Sequence, residues 1–188
     1  MKRLLMSCLC LLFVGPVLAA TPLPTDSIYQ LGAKLTDQDG HSWPLSARRG
    51  NVQLMTMFYT SCTMVCPMIV DTMKATRKAV DEPARDKLDL LAVSFDPARD
   101  NVAALHQYAQ KRQLDAPRWT LARAEPQDVR ALSALLGLQY RQLPDGDFNH
   151  SSELILLDPD GRIIARTTII GRLDPAFVDA VRKALASG

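Results

Sequence analysis

VQLMTMFYTSCTMVCPMIVDTMKATRKAV, residues 52–80, changes its periodicity in the middle. Val52 to Tyr59 is an almost unbroken apolar run, of the kind found in a strand covered on both faces of its sheet. From Pro67 the repeat becomes helical. Cys66, Ile69, Val70, Met73 and Val80 share one stripe, while Asp71, Lys74 and Lys78 take the other side. Cys62 and Cys66 stand at the junction, where Pro67, with its fixed φ, suits a first helical position.

The flanking sequence extends this strand–helix unit in both directions. LDLLAVSF (88–95) reads as a second buried strand. DPARDNVAALHQYAQKR (96–112) opens with turn and N-cap residues and continues as a helix, with Val102, Leu105 and Ala109 inward. RWTL (118–121) is a short strand, and Pro126 to Leu136 a helix with proline in its first turn. SELILLDPDGRIIARTTI (152–169) is strand, Pro-Asp-Gly turn and strand, a β-hairpin. A helix then starts at Asp174-Pro175, burying Phe177, Val178, Val181 and Leu185. Upstream, YQLGAKLTDQDGHSWPL (29–45) offers two extended pieces around Asp39-Gly40, another hairpin signal. The order predicts an α/β fold: a thioredoxin-like central mixed sheet flanked by helices, with an N-terminal β-hairpin extension. One domain over residues 28–188 is expected, after a flexible lead-in, TPLPTDS, at 21–27.

The chain opens MKRLLMSCLCLLFVGPVLAA. A basic pair, Lys2 and Arg3, an apolar run from Leu4 to Val14 and small residues near position 20 make residues 1–20 a signal peptide, expected to be cleaved. The alternative is an uncleaved anchor, although Gly15 and Pro16 break the run short of the roughly 20 residues that span a bilayer. Removing Lys2 and Arg3 leaves 20 basic and 20 acidic residues. A charge near zero without a basic stripe argues against nucleic acid as a partner. Cleavage also removes Cys8 and Cys10, leaving Cys62 and Cys66 as the cysteines of the exported protein.

A disulfide between residues four apart closes a tiny loop and constrains little of the unfolded chain, so stapling is a poor reason for this pair. At a strand-to-helix junction, unpaired N–H groups and the positive helix end favour thiolate. Thiolate attacks disulfides and also binds soft metals, so redox and metal readings both stand. Dithiol oxidoreductases on this fold usually carry Cys-x-x-Cys, whereas three residues intervene here. Of the three histidines, His41 follows a turn and reads as solvated. His106 borders the apolar stripe of a helix and reads as a boundary residue. His150, in GDFNHSSEL before the strand Glu153–Leu157, occupies a loop that in a thioredoxin-like layout can approach the cysteine turn; its position alone leaves both a ligand role and an ordinary loop histidine open.

FYTSCTMVCP (58–67), SFDPARD (94–100) and NHS (149–151) before a strand, in that order, resemble the Sco (SenC) family over nearly the whole mature chain. Those are exported, often membrane-tethered thioredoxin-fold proteins that assemble the copper centre of cytochrome c oxidase. The resemblance implies a copper site made by Cys62, Cys66 and His150, with the cysteines also able to form a disulfide. Two thiolates and an imidazole are a soft set suited to Cu(I), and able to accept Cu(II) with further ligands. Two departures stand out. Many members have Cys-Pro-Asp-Val-Cys-Pro, where this chain has Thr63 and Met64, and an aspartate often precedes the histidine, where this chain has Asn149. Met64 could add a thioether to the copper. Asp96 and Arg99 could form an ion pair ordering the loop near the site, or simply mark a helix start capped by Asp100 or Asn101.

The function expected is that of a metallochaperone, not a multiple-turnover enzyme, working in the periplasm, with copper release coupled to Cys62–Cys66 disulfide formation. Its expected partners are an oxidase subunit, a periplasmic thiol reductase and another copper carrier; membrane association follows only if the N-terminus stays attached. The alternative is a thiol–disulfide oxidoreductase that keeps the oxidase's copper-ligand cysteines reduced. A peroxidase on the same fold fits poorly, since it needs a lone peroxidatic cysteine with a nearby arginine.

Overall fold

A computed structural model describes residues 21–114 and 118–187. The leader expected at 1–20 lies outside the described residues. Strands β1 (Lys34–Asp37), β2 (Ser42–Pro44), β3 (Val52–Phe58), β4 (Leu88–Ser94), β5 (Trp119–Ala124), β6 (Tyr140–Gln142), β7 (Phe148–His150), β8 (Leu154–Leu157) and β9 (Ile163–Thr167) alternate with helices α1 (Val65–Lys78), α2 (Val102–Lys111), α3 (Pro126–Leu135) and α4 (Pro175–Ala186). Seven strands form one sheet in the order β2-β1-β5-β4-β3-β8-β9, and β6 pairs with β7 alone. β3, β4 and β5 run parallel, as their helical crossovers require, while β1 and β8 join this centre antiparallel. The thioredoxin-like mixed sheet and its N-terminal hairpin are therefore both present, the hairpin extending the sheet beyond β5.

All seven residues of β3 and all seven of β4 are buried, which is why their sequences show no polar alternation. Two of their four polar residues face each other. Gln53 is the register partner of Asp89, and its amide donates to that carboxylate at 3.3 Å. Arg118 reaches the same carboxylate at 2.9 Å, so the buried charge is paired. Successive side chains of a strand point to opposite faces, and aromatic contacts identify both. Phe58 lies 5.4 Å from Tyr108 of α2, while its neighbour Tyr59 lies 5.1 Å from Phe148 of β7. α2 thus covers one face of the sheet, and the small β6–β7 hairpin covers the other.

α1 begins two residues earlier than its sequence suggests, at Val65, which puts Pro67 third in the helix. The first-turn N–H groups have no intrahelical acceptor, so a proline costs nothing there. The inward stripe follows the helical repeat: Ile69, Val70 and Met73 are wholly buried, each contributing about 1.5–3 kcal/mol of apolar transfer. In α2, Leu105 and Ala109 are buried as expected, whereas Val102 is only partly so. α4 buries Phe177, Val178, Val181 and Leu185 and is capped by Asp174, whose carboxylate accepts from the N–H groups of Ala176 and Phe177. The lead-in at 21–27 runs along the domain, where the Arg49 guanidinium donates to Thr21.

Candidate metal centre

β3 delivers the chain into the loop 59–64, and α1 leaves it. Cys62 and Cys66 are both free thiols, 8% and 0% exposed. The Cys66 N–H donates to the Cys62 sulfur at 3.3 Å, so a cysteine fills the role that a serine or aspartate cap usually takes. Met64 occupies the N-cap position itself without making a side-chain cap, and its side chain is 81% exposed.

His150 comes from the end of β7. Its Nε2 lies 3.8 Å from the Cys66 sulfur, and its Nδ1 lies 2.8 Å from the Ser151 carbonyl oxygen. A carbonyl only accepts, so Nδ1 carries the hydrogen and Nε2 of the neutral ring keeps its lone pair turned toward sulfur. The ring rests against Phe95 at 4.8 Å and stands edge-on to Tyr59 at 5.9 Å. Ser151 ties the strand end down, donating its N–H to the Gln139 carbonyl at 2.8 Å.

One donor atom from each of Cys62, Cys66 and His150 lies within 4.8 Å of the others. The fit to a metal can be checked with bond lengths. With metal–sulfur and metal–nitrogen bonds of about 2.3 and 2.0 Å, a trigonal ion needs its sulfur and nitrogen donors about 3.7 Å apart. The Cys66–His150 separation meets that requirement without rearrangement. Asp37, Asp39 and His41 also bring donors together. There, however, Asp37 accepts from the N–H groups of Asp39 and His41 and so builds the β1–β2 turn. His41 and His106 are exposed, and His106 contacts Asp39 and Gln110.

The two thiols differ electrostatically. Burial alone would raise the Cys62 thiol, but hydrogen bonds from the Cys66 and Met64 amides, the Cys66 thiol and the Tyr59 hydroxyl outweigh it and bring Cys62 below the ordinary thiol value. Burial pushes Cys66 well above that value, and the charge of Cys62 adds to the effect. The Tyr59 hydroxyl is itself pushed up to about 12, chiefly by burial, so it remains a donor at neutral pH.

The segment 96–100 organises both halves of the site. Asp96 and Arg99 form the expected ion pair. Arg99 also donates to the Gly146 carbonyl at 2.5 Å, and its guanidinium lies 5.8 Å from the Phe148 ring, so it grips the hairpin that carries His150. Asp100 has a role that its place just before a helix does not announce. It does not cap α2, which Asn101 does. Instead its buried carboxylate accepts from the Thr60 N–H at 3.0 Å and from the Thr60 and Ser94 hydroxyls at 2.5 Å each, fastening the cysteine loop to the end of β4.

Comparison with known proteins agrees with this architecture. The family model described as SCO1/SenC matches residues 29–185. A mouse protein described as "Protein SCO2 homolog, mitochondrial" is 29% identical over 161 residues, which cover 81% of this chain and 61% of that protein. The chain spans 64% and 67% of the length of two bacterial relatives. Among solved structures, ScoI of Bradyrhizobium japonicum with copper bound superposes with a TM-score of 0.67 at 23% identity, covering 82% of this chain and 96% of that one. BsSco, described as a member of the Sco family of cytochrome c oxidase assembly proteins with a disulfide switch, gives 0.68 at 20% identity, covering 82% and 92%. At these identities the structures speak for the fold.

Proposed function

The chain belongs to the SCO1/SenC family, and from that premise we propose that it is a copper metallochaperone for the assembly of a respiratory cytochrome c oxidase. Cys62, Cys66 and His150 hold the ion as two thiolates and one imidazole. The observation that carries this reading is the His150 ring, fixed by Ser151 in the tautomer that leaves Nε2 free 3.8 Å from a thiol. A ligating histidine needs that arrangement, and a dithiol reductase does not. Copper is cargo here. The Cys62 thiol, already biased toward thiolate, is ready to bind, and Cys66 gives up its proton as the ion arrives. Forming the Cys62–Cys66 disulfide takes two of the three donors at once, so oxidation of the pair releases the ion and reduction restores the site.

The protein is exported by residues 1–20 into the periplasm, where it receives copper from another carrier and delivers it to an oxidase subunit. A periplasmic thiol reductase keeps the pair reduced. Among the described residues no helix is long and apolar enough to cross a membrane, so membrane attachment depends on the leader. The asymmetry between Cys62 and Cys66 favours a second reading, in which Cys62 attacks a disulfide of the oxidase subunit and Cys66 resolves it. His150→Ala separates the two. As a carrier, the variant loses more copper affinity than the roughly 10- to 100-fold that removing an outer partner of a ligand costs, while the disulfide potential stays within about 30 mV. Undiminished copper affinity in that variant, together with crippled thiol exchange, would establish the reductase instead.

A further inference from the structure

A cleft of about 460 Å³ opens beside the thiol loop, between Thr60, Cys62 and Thr63 on one wall and Gln107, Tyr108 and Lys111 of α2 on the other. None of His150, Tyr59 and Phe95 lines it. Cys62 reaches this space, whereas Cys66 is wholly buried. The charges around it are uneven. Arg112 is engaged by Asp71 at 2.5 Å and by the Pro67 carbonyl at 3.1 Å. Lys111 is exposed, and among the described residues it makes no ion pair or side-chain hydrogen bond and no carboxylate lines the cleft. Tyr108, 8% exposed, packs its ring on Phe58 and has a hydroxyl with no hydrogen-bond partner among the described residues. Among the described residues the cleft thus offers one exposed, unengaged cation and one buried, unpartnered hydroxyl beside one sulfur of a reactive pair, which is the size and chemistry of a small-molecule site.

We propose that this cleft is the entry for a low-molecular-weight disulfide bearing a carboxylate, with Lys111 holding the anion while its sulfur meets Cys62. The inference rests on the redox competence of the Cys62–Cys66 pair argued above. In the reduced protein the Cys62 thiolate attacks the disulfide R–S–S–R, forming a Cys62–S–S–R bond and expelling R–S⁻, which takes a proton from water. Cys66 then attacks the Cys62 sulfur, forming the internal disulfide and expelling the second R–S⁻, which takes up the Cys66 proton as it leaves. The pair loses two electrons and the reagent gains them, giving two thiols. Because His150 is not in the lining, the reagent reaches Cys62 without displacing the imidazole.

The test compares three disulfides of similar size with the reduced protein: anionic dithiodipropionate, neutral hydroxyethyl disulfide and cationic cystamine. Oxidation of the pair is followed by stopped-flow fluorescence. The anionic reagent is expected to be favoured over the cationic one, relative to their rates with a small thiol. In Lys111→Glu that ratio drops about tenfold while the neutral reagent changes less than about twofold. Lys183→Glu, on α4, should leave the ratio unaltered. A ratio unmoved by Lys111→Glu, with oxidation still occurring, overturns the cleft but spares the redox pair. Failure of all three reagents to oxidise the pair overturns both.

Discussion

Arg99→Ala loosens the histidine without touching the cysteines, and the contacts set the size of the effect. Arg99 holds the β6–β7 hairpin through the Gly146 carbonyl at 2.5 Å and through the Phe148 ring at 5.8 Å. A charged donor to a carbonyl contributes about 1.5–3 kcal/mol when buried, but this side chain is 44% exposed, so about 1 kcal/mol is the better figure. The ring contact, near the outer limit for a cation over an aromatic face, adds about 0.5 kcal/mol. The hairpin belongs to no larger sheet, and two strands alone are marginal in water. Losing about 1.5 kcal/mol of docking therefore lowers the fraction of molecules with His150 in place, and apparent copper affinity falls by about tenfold. Asp96 is left behind, only 4% exposed, so the single variant also loses global stability. Asp96→Asn with Arg99→Ala removes that complication. Competition titration against a chromophoric copper chelator reads affinity, and equilibration with a thiol redox buffer reads the Cys62–Cys66 potential. The double variant should lose affinity by about tenfold with its potential unmoved. Affinity within twofold of the parent, or a potential shifted in step with affinity, would refute the claim that the 96–99 turn acts through the hairpin.

Iodoacetamide should modify Cys62 first, with a pH–rate profile centred below the ordinary thiol value, while Cys66 stays unmodified until urea unfolds the chain; mass spectrometry of peptides reads both. Asp100→Ala strands the donors of Thr60 and Ser94 and should cost about 2–3 kcal/mol in urea unfolding. The same carboxyl gives a pH test. Burial outweighs its hydrogen bonds and raises it above the carboxylate norm, so the folded chain holds the proton more tightly than the unfolded one. The stability of the parent relative to Asp100→Asn should fall as pH rises from below the ordinary aspartate value through the raised one, and a rising difference would show that the hydrogen bonds dominate.

The fold was legible where one physical signal dominated. β3 and β4 are covered on both faces, so their apolar runs needed no context. The antiparallel β8–β9 pair was marked by Pro159-Asp160-Gly161, where Gly161 takes φ +81°, a conformation only glycine adopts readily. The chain carries that signal twice. Pro144-Asp145-Gly146 turns β6 into β7 in the same manner, with Gly146 at φ +88° and the Leu143 N–H closing on the Asp147 carbonyl. Each flanking strand there has only three residues, too few for alternation to register, so the sequence does not mark this hairpin as it marks β8–β9. His150 therefore looked like a loop residue, when it ends a strand whose register sets it opposite Tyr140.

Sequence and structure divide the site differently. The cysteines announce themselves by spacing, but nothing local to residue 150 says that a chain segment 84 positions after Cys66 returns to it. That return depends on aromatic packing: Tyr59, Phe95, Tyr140 and Phe148 are scattered through the sequence and meet only when the hairpin folds over the sheet. Asp100 was hidden for another reason, since an aspartate just before a helix is explained well enough by capping. Its neighbour Asn101 takes that task and frees Asp100 to face inward. Arg99 and Asp100 then point to opposite halves of the centre, one holding the imidazole and the other the thiols. A single turn after β4 thus fixes the separation between donors that come from distant parts of the chain. Losing either residue should widen that gap, though only Asp100 should disturb the cysteines as well.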